Sequence, residues 1–251
     1  MPLLYLRRLT GRERDRTANR HLAMYLAFIA GAANAGGFLA VRQYTSHMSG
    51  IVSAMADNLA LGDLGMVGAG LGSLGAFLAG AATTAVLVNW GRRRARESEY
   101  ALPLMVEAGC LLGFGLLGGT MAREHWMFGP ATVLLLCFTM GLQNAIITKI
   151  SRAEIRTTHV TGMVTDIGIE LGKMLYWNGA GEERVVADRP KLRLLFWLVA
   201  LFWLGGLAGA LGFKHVGFVS TAPLAAVLMV LAGMPVWEDL RRAFGVRAEA
   251  G

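Results

Sequence analysis

Two histidines sit in one short pattern that the chain writes twice. Thr45-Ser46-His47-Met48-Ser49-Gly50 returns 112 positions later as Thr157-Thr158-His159-Val160-Thr161-Gly162. Imidazole titrates near neutrality, so at a membrane it can relay protons or bind a polar ligand. Hydroxyls ahead of a helix accept hydrogen bonds from its free first-turn amides, and the positive end of that helix can hold an anion or a carbonyl oxygen. The glycine permits close approach of a backbone or a ligand. The candidate binding or permeation residues are therefore Thr45, Ser46, His47, Ser49 and Gly50 in one copy, and Thr157, Thr158, His159, Thr161 and Gly162 in the other. Helical spacing places Ser46, Ser49/Gly50, Ser53 and Asp57 on one face, and His159, Gly162, Asp166 and Glu170 on one face.

Each copy follows an apolar stretch carrying Gly-x-x-Asn-Ala, at 31–35 and 141–145. Asn34 and Asn144 lie in apolar surroundings and must find hydrogen bonds inside the protein or to a ligand; Gln143 adds a further amide. Asp166 and Glu170 match Ala54 and Asn58 of the first copy, so the second half carries the extra negative charge. Glu107 lies in another apolar stretch, where an unpaired charge is costly. Catalytic signatures are missing: no nucleophile elbow, no His-Glu-x-x-His, no phosphate-binding loop, no Cys-x-x-Cys. A non-enzyme is expected, with no cofactor. Two histidines placed towards opposite faces lack the third and fourth ligands that zinc requires.

The elements that carry these residues are membrane helices. The chain is 55% hydrophobic and 16% charged, below the roughly 25% charged share of soluble domains. Apolar spans are expected at 22–41, 65–90, 101–120, 129–148, 194–213 and 216–234, each near the bilayer-crossing length. The motif segments, 45–62 and 157–173, are shorter and more polar, which suits re-entrant or interfacial helices. Gly109-x-x-x-Gly113, Gly115-x-x-x-Gly119 and Gly205-x-x-x-Gly209 are read as close-packing faces that also permit self-association. Cys110 and Cys137 are read as buried structural thiols.

Charge selects the topology. With six spans and a cytoplasmic N-terminus, 21 of the 24 Lys and Arg fall inside, leaving Arg42, Arg123 and Lys214 outside; with eight spans only 15 fall inside. The net charge of +7 is thus an orientation signal and not a nucleic-acid footprint. Three spans per half make the halves inverted repeats, with both termini cytoplasmic and the two motifs towards opposite faces. The segments are a basic stretch 1–20, a first repeat 21–121, a second repeat 128–235 with a cytoplasmic loop 174–193, and a tail 236–251.

The quoted motifs resemble the YoaK-like family of bacterial multi-pass membrane proteins, a domain of unknown function. The second-half run from Arg156 to Gly168 carries most of the likeness, and it extends over about 22–234. The family often has an acid where this chain has Asn34. The resemblance implies a bacterial plasma-membrane location and supplies no substrate. The sequence thus describes an all-α integral membrane protein with about six spans and two shorter motif helices. A small-solute transporter or permease taking a polar or anionic solute is expected; a non-transporting scaffold or regulatory partner is the alternative.

Overall fold

A computed structural model describes residues 2–12, 14–41, 44–121, 128–151, 155–179 and 184–248. Among them every regular element is helical: α1 (Pro2–Thr10), α2 (Arg16–Val41), α3 (Met48–Ala60), α4 (Leu64–Arg93), α5 (Ala101–Met121), α6 (Phe128–Ser151), α7 (Val160–Leu175), α8 (Arg189–His215) and α9 (Thr221–Ala248), with a 3-10 turn at Gly217–Ser220. Six of these are long and apolar enough to cross a membrane, namely α2, α4, α5, α6, α8 and α9, the last together with its 3-10 turn. Arg42 and Arg123, which entered the charge reading, and residues 180–183 of the expected loop lie outside the described residues.

Local chemistry sets the ends. Asp63 and Asp188 cap α4 and α8, their carboxylates accepting from the amides of Met66 at 3.0 Å and Lys191 at 2.9 Å. A carboxylate there also complements the positive helix end. Gly62, at φ +80°, makes the tight turn from α3 into α4 in a conformation that favours glycine.

Partners are exchanged between the halves. The first span of each half packs most extensively on the second span of the other half: α2 on α8, and α6 on α4. All four helices use the same device, Phe-x-x-Gly, at 28–31, 138–141, 77–80 and 202–205. A Cβ on Gly31 would fall 2.0 Å from the carbonyl oxygen of Phe202, and one on Gly205 would fall 2.0 Å from that of Phe28. The other pair repeats this, Gly141 against Phe77 and Gly80 against Phe138, again at 2.0 Å. Each glycine therefore admits the neighbouring backbone itself, the closest approach that two helices can make. Gly209 extends the seam, its missing Cβ 2.2 Å from Ala32 O. The expected packing role fails at Gly109 and Gly113, where a Cβ would meet nothing within 4 Å.

The basic segments gather at one end of the bundle. Arg7 pairs with Glu238 at 3.3 Å, Arg242 with Glu97 at 3.6 Å, and the Asp239 carboxylate accepts from the amides of Glu97 and Ser98. Asn19 donates to Ile150 O at the foot of α6. Arg156 and Lys191 line one pocket. Arg14 lies over Tyr100, and burial lowers its guanidinium to about 10. Five segments distant in sequence thus share a face, tied by contacts that also join α1 to α9.

Both motif segments fold back. Helix α2 ends at Val41, yet Ser46 hydrogen-bonds Asn34. The chain has therefore retraced about 10 Å along α2 at a rise of about 1.5 Å per residue. In the second half α6 ends at Ser151 and Thr158 hydrogen-bonds Asn144, the same retreat. The helices that follow, α3 and α7, are about 20 and 24 Å long at that rise, short of the roughly 30 Å hydrocarbon core.

Candidate functional site

The fold-back is pinned by asparagine. The Asn34 side-chain oxygen accepts from Ser46 Oγ at 2.9 Å and from the Ser46 amide at 3.3 Å. Asn144 does the same for Thr158 Oγ1, while its own Nδ2 donates to Met140 O at 2.8 Å. Buried amides need such partners, and here they find them in the motif itself. Gln143 is anchored differently: its Nε2 donates to Leu26 O at 3.0 Å across the α2–α6 contact.

The hydroxyls do not cap the motif helices. The residues at the cap positions are His47 and His159, and neither helix receives a side-chain cap hydrogen bond. Thr45 and Thr157 are fully buried and their hydroxyl oxygens have no hydrogen-bond partner; Ser46 and Thr158 are turned to the asparagines instead. The helices also start three residues after the motif begins, so Ser46 belongs to no helical face.

The pinned segments meet. Asn34, Ser46, His47 and Ser49 from the first half, and Thr158, His159, Thr161 and Gly162 from the second, line one cavity of about 600 Å³. Tyr44 and the phenylalanines of two packing motifs, Phe77 and Phe202, complete much of its wall. The two motifs, expected towards opposite faces, meet at their N-terminal ends in this cavity. Exchange of helix partners explains it, because α4 and α8 each pack on the opposite half's first span while supporting their own motif helix. Among the described residues no carboxylate lines this cavity, and the positive ends of α3 and α7 both face it.

Two smaller cavities flank the central one. One, of about 360 Å³, lies between α3 and α4 and includes His47, Gly50, Ala54 and Met66. The other, of about 300 Å³, lies between α7 and α8 and includes His159, Gly162, Asp166 and Lys191. These residues correspond position by position in the repeat. Chemically they differ. The apolar Ala54 and Met66 stand where the second half has the ion pair of Asp166 with Lys191, at 3.3 Å. Tyr44, stacked on Phe38 with ring centres 4.4 Å apart, stands where the second half has Arg156. Burial and the nearby Arg156 charge hold His159 below the usual imidazole range.

Other candidate residues lie elsewhere. Glu170 is buried behind α7, where it accepts from Lys173 Nζ at 2.8 Å and from the Asp188 amide at 2.8 Å. Those two contacts hold its carboxyl below the usual range. It fastens the entry into α8 and lines none of these cavities. Glu107 is fully buried in α5 with neither oxygen hydrogen-bonded, and Gln143 Oε1 is likewise unpaired. The four Phe-x-x-Gly motifs, whose aromatic rings reach the cavity through Phe77 and Phe202, went unread in the sequence. The repeat of that pattern at corresponding positions was the available signal.

A family model described as "Protein of unknown function (DUF1275)" matches residues 22–234. No curated protein and no solved structure matches the chain.

Proposed function

The chain belongs to this family of unknown function, consistent with the YoaK-like resemblance of its motifs, and from the site we propose a permease for a small polar or anionic solute. One observation carries the reading. Motifs from two halves of the chain build a single cavity lined by an amide, hydroxyls and two imidazoles. A site with no carboxylate among its described lining residues, faced by two positive helix ends, favours an anion or a neutral hydrogen-bonding solute over a cation. Its position fits the site of transporters built from inverted repeats, at the repeat interface and beside interrupted helices.

In this reading α3 and α7 are re-entrant half-helices that enter from opposite faces of the bacterial plasma membrane. Three observations support it: both helices are too short to span, both follow a chain reversal, and the partner exchange treats the halves alike. The shared basic end, which holds α1 and the C-terminal part of α9, is then cytoplasmic. We assign the protein no reaction and no cofactor.

A solute screen in proteoliposomes tests the function. Wild type should pass at least one small anion or polar solute, and His47→Ala and His159→Ala should alter that flux. Equal flux in all three proteins would remove the histidines from the mechanism. Absence of flux for every solute would count against transport.

A further inference from the structure

Resting on the permease reading, we propose that His47 and His159 are the two gates of the central cavity, each closing by swinging its ring onto the glycine three residues ahead. The structure holds the first gate shut and the second open.

Each histidine borders two spaces. His47 lines the central cavity and the cavity between α3 and α4; His159 lines the central cavity and the cavity between α7 and α8. The three cavities therefore form a series with an imidazole at each junction. The glycines at the junctions differ. A Cβ on Gly50 would lie 2.3 Å from His47 Cδ2, so the ring rests directly on that glycine. A Cβ on Gly162 would meet nothing within 4 Å. Accordingly Gly50 borders only the outer cavity, whereas Gly162 borders both the central cavity and its neighbour.

The backbone does not explain the difference. His47 has φ −95° and ψ 71°, and His159 has φ −82° and ψ 62°, the same conformation within ordinary scatter. The ring alone has turned. Rotamer changes of this kind are fast and low in cost, which suits a gate. The His-x-x-Gly spacing recurs in both motifs because a ring at the cap position reaches the first turn of its own helix, and only glycine leaves the seat empty. The open junction faces the basic end, where Arg156 and Lys191 line the adjoining cavity. The closed junction faces the opposite end, backed by the Tyr44–Phe38 stack.

The test reads access and needs no solute. Ser49 lines the central cavity. Ser49→Cys is placed in a chain carrying Cys110→Ala and Cys137→Ala, then reconstituted into vesicles. A membrane-impermeant, negatively charged methanethiosulfonate is added to one face at a time, and labelling is normalised to the total after denaturation. The reagent should react from the basic end about tenfold or more faster than from the other end, the ratio expected when the alternate state is populated at about 10% or less. His47→Ala should open the far side. Gly50→Ala should do the same while keeping the histidine, because its methyl displaces the ring. Equal labelling from both faces before any gate substitution would overturn the gates and leave an open water-filled passage, so the permease reading would stand. Faster labelling from the far face, or one-sided labelling unchanged by both variants, would overturn the role of His47. No labelling from either face would mean that the central cavity excludes water, and both readings would fall.

Discussion

Gly31 and Phe202, from different halves of the chain, are set so that a Cβ on the glycine would fall 2.0 Å from the phenylalanine's carbonyl oxygen. No rotamer relieves such a clash, because the obstacle is backbone. Gly31→Ala should destabilise the protein by about 1–3 kcal/mol or more, as overpacking does. Gly141→Ala should match it, because it faces Phe77 in the same way. Gly109→Ala and Gly113→Ala should be neutral or stabilising by about 0.4–1 kcal/mol, since their helix positions are open and alanine restricts the unfolded chain. Thermal melts in one detergent compare all four; equal losses at all four positions would refute the seam.

Asn34→Ala and Asn144→Ala should each free the fold-back that the amide pins. A lost hydrogen bond of this kind costs about 1 kcal/mol. The loss should be local: amide exchange should speed up in the first turns of α3 and α7 and stay unchanged in α5 and α9. Uniform acceleration through the whole bundle would show the asparagines holding something larger than the motif.

His159 should titrate below the ordinary imidazole value. Its folded form disfavours the proton, so this site weakens folding as pH falls through the unfolded value of about 6.5 and leaves it unpenalised above. Arg156→Gln removes the smaller of the two causes. The midpoint in a ring-proton NMR titration should then rise while staying below the ordinary value, because burial remains. A wild-type midpoint at or above the ordinary value would contradict the surroundings described for this ring.

Glu170 gives the opposite sign. Its carboxyl is held low by Lys173 and the Asp188 amide, so its contribution is complete above the unfolded value of about 4.3 and is lost as pH falls through the folded one. Glu170→Gln should melt below wild type near neutrality, and the gap should close in acid. A gap that persists in acid would mean that the charge is not what fastens α7 to α8.

Glu107 has two buried oxygens without hydrogen-bond partners. Glu107→Leu should therefore leave the melting temperature unchanged or raise it, since replacing an unsatisfied buried group by an apolar one is neutral or favourable. A clear drop would show that the carboxyl has a partner in the membrane-embedded protein.

Much of this architecture was legible before any coordinates. Apolar runs of bilayer length locate the six long helices because length and composition alone decide them. The repeat of the His motif marks α3 and α7 because each helix begins directly after the motif's histidine. What was not legible depends on which helix faces which. Glycine spacing within one helix pointed to Gly109 and Gly113, where an added Cβ would meet nothing within 4 Å, because a small residue says where a neighbour could approach and not whether one does. Convergence of the motifs follows from the exchange of partners between halves, which no single segment encodes. Glu170 sits on the expected face by periodicity, yet the arrival of the Asp188 amide, 18 residues on, claims it.

The exchanged pairing also dictates an order of assembly. Helix α2 is the first span made and α8 the last but one, yet each is the other's main partner. While the ribosome is still in the first half, Gly31 and Gly80 have only lipid against them. Spans can be threaded one by one, but the tightest contacts form late and over long sequence separation, the situation that slows folding and exposes intermediates. A chain stopped after α6 would have α4 paired and α2 held only by its lesser contact with α6. Such a fragment is a natural substrate for membrane quality control, and neither half should be recoverable as a folded protein without the other.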